Sequence, residues 1–407
     1  MLRLLALVII LTFSFIPASI AQDSEWIVRS PIPTARTEHS GASIENKIYI
    51  VGGLGEGGFR LSAVEVYDVA ANTWSSAASL PEPLNHVGIA SYDGKIYVVG
   101  GYFADGSPSN RLYIYDPKTD HWNRGRDMPT PRAALTAQFI DGTLYAVGGA
   151  AAGSIPLGTN EAYDPATDSW STKGTMPTPR EHLASGVAKG KMYVIGGRQG
   201  GLINNMDVNE EYDPKLDKWT SRAPMPSKRG GIVGASLNET VLVFGGEGPL
   251  GTFSNNEQYF PANNTWKVRQ SMPNARHGLA AAVVRNQIFV IGGGRIPGLS
   301  VSDVNEVFTP RELRPITVPA PPQAPPPAPQ PQQPPPIPII IQPPVQLPIP
   351  EAPQQEPKLQ QPPQQVGSEE LAQNGLLIIS GIIILIVVFV IFPILRSRGT
   401  KDQNVAK

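Results

Sequence analysis

The sequence predicts an all-β protein built as a ring of four-stranded units, and three regularities predict it. Gly-Gly pairs begin at Gly52, Gly100, Gly148, Gly196, Gly245 and Gly292, a period of 47 to 49 residues. Tryptophans fall in step at Trp26, Trp74, Trp122, Trp170, Trp219 and Trp266, which are all six in the chain. Between these marks lie short strands bounded by turn residues. In residues 86–129 an apolar run leads to Asp93-Gly94, and the strand Ile96-Tyr97-Val98-Val99 stops at Gly100-Gly101. A third strand then ends at Tyr115-Asp116-Pro117 before the turn into Trp122. Strands at this density read as an antiparallel meander. Repeats of this length with four strands each are the mark of a β-propeller.

Further positions keep the same register. Three residues before each Gly-Gly stands Tyr49, Tyr97, Tyr145, Tyr193, Leu242 or Phe289, and seven before each later Trp stands Tyr67, Tyr115, Tyr163, Tyr212 or Tyr259. Phe308 takes that place in the sixth unit, with no Trp after it. An acidic residue precedes the aromatic at Glu65, Glu161, Glu210, Glu257 and Glu306, the second unit departing with Tyr113, and Met-Pro follows at Met128, Met176, Met225 and Met272. Strand, Gly-Gly, loop, Glu-x-Tyr-Asp-Pro, turn, Trp and Met-Pro together resemble the kelch repeat, over about residues 22 to 311. The resemblance implies a six-bladed kelch-type propeller.

Closure follows from the same marks. Trp26 matches a last-strand Trp with no unit before it, and the sixth unit lacks its own. The strand around Trp26-Ile27-Val28 is therefore expected to complete the last blade beside Phe308, which leaves no long unpaired edge.

Within each unit, Gly-Gly lets the second strand end in conformations that a Cβ would hinder. The alternating side chains of Ile48-Tyr49-Ile50-Val51 pack both sheet faces on neighbouring blades. The recurring Tyr and Trp supply apolar area between blades. The loops after Gly-Gly (54–61, 102–110, 150–159, 198–207, 247–255 and 294–301) vary in sequence, and variable loops on a rigid scaffold are where recognition resides.

The ends of the chain have a different character. Arg3, the apolar run Leu4 to Ile16 and Pro17-Ala18-Ser19-Ile20-Ala21 read as a secretory signal peptide spanning 1–21. From Pro315 to Pro363, 21 of 49 residues are proline, which bars ladders and helices and predicts a disordered, extended stalk over 312–374. The apolar run Leu376 to Leu395 has the length of a transmembrane helix, placed at 375–395. Arg396, Arg398 and Lys401 after it put the tail 396–407 in the cytoplasm. The expected organisation is a single-pass cell-membrane protein with its propeller, residues 22–311, outside the cell or in the periplasm. Asn238-Glu239-Thr240 and Asn263-Asn264-Thr265 match the glycosylation sequon.

Thirty-three basic and 34 acidic side chains nearly cancel, so no electrostatic footprint for nucleic acid is present. The absence of cysteine rules out a disulfide framework. It also excludes the copper chemistry of galactose-oxidase-like kelch enzymes, which need a Cys-Tyr crosslink.

Sixteen residues before each Gly-Gly stands Arg36, Leu84, Arg132, Arg180, Arg229 or Arg276, and two residues later come Glu38, His86, Ala134, His182, Gly231 and Gly278. A period of two puts both sets on one side, near the mouth of the central channel. One reading is a ligand-binding cationic rim made of Arg36, Glu38, His86, Arg132, Arg180, His182, Arg229 and Arg276, suited to carboxylates, sialic-acid-like sugars or an acidic protein loop. The other is that the arginines bind backbone carbonyls between blades as part of the repeat. Four residues after the arginine position the set is small or short (Ser40, Gly88, Thr136, Ala184, Val233, Ala280), as a narrow channel wall requires. His39, His86, His182 and His277 start inner strands at unequal offsets and His121 precedes Trp122. No close ligand spacing appears, so no metal, cofactor or catalytic residue is expected.

These features predict a cell-surface binding or scaffold module that presents a kelch propeller to an unknown protein or glycan at its loop face, and no enzymatic activity. The alternative is an exported sugar-processing propeller similar to the sialic acid mutarotases, which use Arg and Glu in the central pocket.

Overall fold

The computed structural model describes residues 25–310. The signal peptide, stalk, transmembrane helix and tail expected from the sequence lie outside the described residues. Among the described residues no helix is long and apolar enough to cross a membrane.

The described chain forms six four-stranded antiparallel sheets. Blade 1 runs outward through Ser40–Ile44, Lys47–Val51, Val64–Asp68 and Thr73–Ala77. The inner strands of blades 2 to 5 are Gly88–Tyr92, Thr136–Ile140, Ala184–Ala188 and Val233–Leu237. Blade 6 runs through Ala280–Val284, Gln287–Ile291 and Asn305–Phe308, and its outer strand is Trp26–Val28 from the start of the chain. Each inner strand contacts the next, and the last contacts the first. The register Trp26↔Phe308, Ile27↔Val307, Val28↔Glu306 seals the ring, as the sequence predicts.

Six apolar clusters hold the blades together, one at each blade-to-blade interface. Both faces of each second strand are buried, as at Ile48, Tyr49, Ile50 and Val51. The repeating tryptophans add a directional bond. Trp74 Nε1 donates to the Ser30 carbonyl (2.9 Å), Trp122 to Ala78 (2.8 Å) and Trp26 to Gln270 (2.9 Å), each on the preceding blade. The tyrosine beside each of the five tryptophans other than Trp26 donates to the following turn, as Tyr115 does to Asp120 (2.6 Å), and that same carboxylate accepts the Ala78 amide (2.8 Å).

The Gly-Gly pairs explain themselves. Both members have positive φ, as in Gly100 (68°) and Gly101 (96°). The second glycine donates its amide to the next blade, Gly101 to the Arg132 carbonyl at 3.0 Å. A Cβ on Gly100 would stand 2.5 Å from that carbonyl oxygen and 2.9 Å from Leu135 Cδ2. Gly100→Ala is therefore expected to cost about 2–3 kcal/mol of unfolding free energy, from strain at positive φ plus the clash. A urea unfolding curve checks it.

Candidate functional site

The mouth of the central channel is framed by backbone. Glu38, His86, Ala134, His182, Gly231 and Gly278 are equivalent positions, one per blade, each with φ between 51° and 67°. Each donates its amide to the carbonyl of its counterpart on the neighbouring blade: His86 to Glu38 (2.9 Å), Ala134 to His86 (2.9 Å), His182 to Ala134 (3.0 Å), Gly231 to His182 (3.0 Å), Gly278 to Gly231 (3.0 Å) and Glu38 to Gly278 (2.8 Å). Six hydrogen bonds thus close a belt around the mouth. The belt satisfies the backbone amides of six residues held at positive φ, three of them non-glycine residues other than Ala134 whose side chains meet at the mouth.

Below the belt lies the channel wall. It is lined by Ser40, Gly88, Thr136, Ala184, Val233 and Ala280, which with the belt residues bound a cavity of about 150 Å³. This is the small-residue wall that the sequence implies.

At the belt itself the six positions are unequal. Ala134, Gly231 and Gly278 leave room that longer neighbours fill: a Cβ on Gly278 would lie 2.5 Å from Glu38 Oε1. The Glu38 carboxylate meets His86 Nε2 at 3.2 Å and His182 Nε2 at 4.0 Å. The two imidazoles stand edge to face, 4.8 Å apart. His86 Nδ1 is held by Asn85 Oδ1 (2.6 Å), and His182 Nδ1 faces the Glu181 carboxylate. Arg198 then joins Glu181 (Nε to Oε1, 3.0 Å) to Glu247 (Nη1 to Oε1, 2.8 Å). His277 Nε2 lies 3.7 Å from Glu38 Oε1 and 3.5 Å from Glu247 Oε2. Burial lowers the pKa of His86 against the opposing pull of Glu38, and burial with the Arg198 charge lowers that of His182 well below its ordinary value. A neutral imidazole presents one lone pair.

The five arginines are elsewhere. Arg36, Arg132, Arg180, Arg229 and Arg276 are fully buried inside their own blades. Each pairs with the acidic residue of the third strand: Arg36 with Glu65 (2.5 Å), Arg132 with Glu161, Arg180 with Glu210 (2.5 Å), Arg229 with Glu257 (2.7 Å) and Arg276 with Glu306 (2.7 Å). They also donate to carbonyls of their own blade, as Arg36 Nη1 does to Gly52 (2.9 Å) and Arg180 Nε to Gly196 (2.8 Å). A short donor two residues earlier completes each carboxylate, such as Thr178 to Glu210 (2.8 Å). Blade 2 lacks both partners and replaces them together: Leu84 fills the arginine site, and Tyr113 donates its hydroxyl to Glu82, which stands where the other blades have the donor.

The family model of the KLHDC2/KLHL20/DRC7 kelch-repeats domain matches residues 19–124 and 76–246, together residues 19–246 and more than half of the chain. The chain belongs to the kelch-repeat family. Among curated kelch relatives, beta-scruin of Limulus polyphemus is 35% identical over 60 residues, 15% of this chain and 7% of that protein. Kelch-like protein 35 of Mus musculus is 34% identical over 68 residues, 17% of this chain and 11% of that protein. An N-(sulfonatooxy)prop-2-enimidothioate sulfolyase of Thlaspi arvense is 43% identical over 56 residues, 12% of this chain and 15% of that enzyme. The chain thus spans no more than 15% of the length of these relatives. The solved structure of YjhT matches 71% of this chain and 99% of that one, with a TM-score of 0.61 and 21% identity, a likeness of fold.

Of the eight rim residues expected from the sequence, the kelch propeller brings together Glu38, His86 and His182 at the mouth. The arginine part of the rim is corrected: none of Arg36, Arg132, Arg180, Arg229 and Arg276 reaches the channel surface. The carbonyls they bind belong to their own blade rather than to its neighbour. The period of two fails here because residues 36–38 precede the strand, which begins at Ser40. The positive φ at the belt position then turns the chain between the arginine and the strand. His39 is also turned away, buried with Nε2 on the Ile291 carbonyl (3.0 Å), and burial pushes its pKa down to about 3.

Glu181, Arg198, Glu247 and His277 belong to the mouth and were not singled out for it in the sequence. Their signal lies in two positions per blade that pair with each other, the residue before the belt and the residue after Gly-Gly: Glu181 pairs with Arg198, Gly230 with Glu247 and His277 with Gly294. Alignment of the six units shows both positions varying, with Thr37, Asn85 and Ala133 completing the first set and Leu54, Tyr102 and Ala150 the second.

Proposed function

We propose that the chain is an exported, membrane-anchored recognition module whose kelch propeller captures a protein partner on the face around the channel mouth, without catalysing a reaction. The observation that carries this reading is a broken crown of bare apolar side chains on the loops after Gly-Gly. Phe59, Ile155, Ile203, Leu250, Ile296 and Leu299 are all well exposed, from 60% for Ile155 to complete exposure for Leu250. They come from blades 1, 3, 4, 5 and 6 and surround a polar centre. Large apolar groups on one face offer a protein partner anchors to pack against. The signal peptide, proline-rich stalk and apolar run read from the sequence supply the export, reach and anchor.

The test is capture of surface partners by proximity labelling on cells, with a glycan array in parallel. Phe59→Ser/Ile203→Ser/Leu250→Ser is expected to lower partner labelling at least tenfold, because anchors of this kind carry about 2 kcal/mol or more. Leu216→Ser, in the turn between the third and fourth strands of blade 4 and 66% exposed, is the control and leaves labelling unchanged. Equal labelling by the triple variant and the parent contradicts the reading.

A sugar-processing propeller similar to the sialic acid mutarotases is the second reading, favoured by the Glu38 carboxylate between two imidazoles at a cavity of about 150 Å³. Anomer exchange of α-sialic acid followed by NMR separates the two. Because Arg180 is buried structure, Glu38→Gln is the informative variant: acceleration by the parent that this variant abolishes would overturn the binding-module reading.

A further inference from the structure

We propose that Glu38, His86 and His182 form a binding site for one borderline divalent cation of the zinc type at the mouth of the channel. The inference stands apart from the protein-partner reading, since the metal site uses the polar centre and not the apolar crown.

Three donor atoms, one from each residue, lie within 4.8 Å of one another. Around a tetrahedral zinc with bonds of about 2.0–2.1 Å, ligand atoms stand about 3.3–3.4 Å apart. His86 Nε2 and Glu38 Oε2 are already 3.2 Å apart, and His182 Nε2 is 4.0 Å from the same oxygen. A small rotation of the His182 ring or of the carboxylate completes the set. Two imidazoles and a carboxylate suit zinc rather than calcium or magnesium, which take oxygen ligands.

The supporting groups are arranged as a metal site needs them. Each imidazole turns Nε2 to the centre; His86 is held from behind at Nδ1 by the Asn85 amide oxygen (2.6 Å), and the Glu181 carboxylate lies beside His182 Nδ1. An acceptor at Nδ1 fixes the proton there and frees the Nε2 lone pair for a metal. Glu181 is itself fixed by Arg198 (3.0 Å). All three ligand residues are locked in the backbone belt, so the donors are placed before a metal arrives. Ala134, between His86 and His182 in the belt, is small enough to let the two rings meet. His277 is not a ligand, because its two ring nitrogens face the Gly294 and Gly298 carbonyls at 3.1 and 2.8 Å. Three protein ligands leave a fourth position open to the channel mouth, where an anionic group of a ligand can bind.

The test titrates zinc chloride into the chelator-treated full-length chain by calorimetry and reads the coordination with cobalt(II), whose visible spectrum reports tetrahedral nitrogen and oxygen ligation. One equivalent is expected to bind, with a tetrahedral cobalt spectrum. Glu38→Gln, His86→Gln and His182→Gln are each expected to weaken binding by at least 100-fold, and Glu181→Gln, which touches no metal, by about tenfold. His121→Gln, exposed on the outer strand of blade 2, binds as the parent does. Circular dichroism confirms that each variant is folded. No saturable binding by the parent, an octahedral cobalt spectrum, or binding unchanged in His86→Gln/His182→Gln overturns the proposal.

Discussion

Arg180→Ala is expected to destabilise the propeller by about 3–5 kcal/mol, the cost of leaving a buried carboxylate without its partner. Glu210 is 2% exposed, and its oxygens are met by Arg180 Nη1 (2.5 Å) and Thr178 Oγ1 (2.8 Å). Removing the guanidinium also strips donors from the Gly196 and Val194 carbonyls, each bound at 2.8 Å. Blade 2 shows how the loss can be repaired. There Leu84, Tyr113 and Glu82 occupy the positions of the arginine, the acid and the short donor, with the hydrogen bond reversed in direction. Thr178→Glu/Arg180→Leu/Glu210→Tyr carries that solution into blade 4 and is expected to recover more than half of the stability lost in Arg180→Ala. Urea unfolding of the three proteins measures both effects. An Arg180→Ala protein as stable as its parent would mean that the ion pair is not buried as described.

Trp26→Ala is expected to cost about 3–5 kcal/mol, in the range for a large aromatic removed from a packed core. Trp26 is 5% exposed and joins two blades: its ring lies 5.1 Å from Phe308 in blade 6 and 5.9 Å from Phe244 in blade 5. Its Nε1 adds a bond to the Gln270 carbonyl at 2.9 Å. Removing residues 22–31 goes further, because Asn305–Phe308 then becomes an open edge able to pair with another molecule. That truncation is expected to unfold at lower temperature and to aggregate, which scanning calorimetry and light scattering measure.

Much of this architecture is legible in the sequence because a propeller repeats its constraints. The spacing of Gly-Gly and Trp carries the blade count, and the unmatched Trp26 and Phe308 carry the closure. The mouth is less legible for a physical reason. A period of two holds inside a strand, but Arg36 and Glu38 lie before one, and Glu38 itself sits at φ 51°. One goes into the blade and the other onto the channel. The pairing of the arginines was nevertheless written in the second unit, where Leu84 and Tyr113 depart from the repeat together. Glu181, Arg198, Glu247 and His277 escape a repeat search because they occupy positions whose residue changes from blade to blade. What does not repeat is what distinguishes one propeller's mouth from another's.

Every placement at the mouth depends on the ring being sealed by its first strand, and spin labelling tests that directly, since the chain has no cysteine to remove. In Ile27→Cys/Thr309→Cys one label sits on the first strand and the other just past the end of its partner strand Asn305–Phe308, with Cα atoms about 8 Å apart from the strand spacing and rise. The continuous-wave EPR spectrum is predicted to show strong dipolar broadening that vanishes on unfolding in urea. A doubly labelled spectrum equal to the sum of the two singly labelled ones contradicts the closed six-bladed ring.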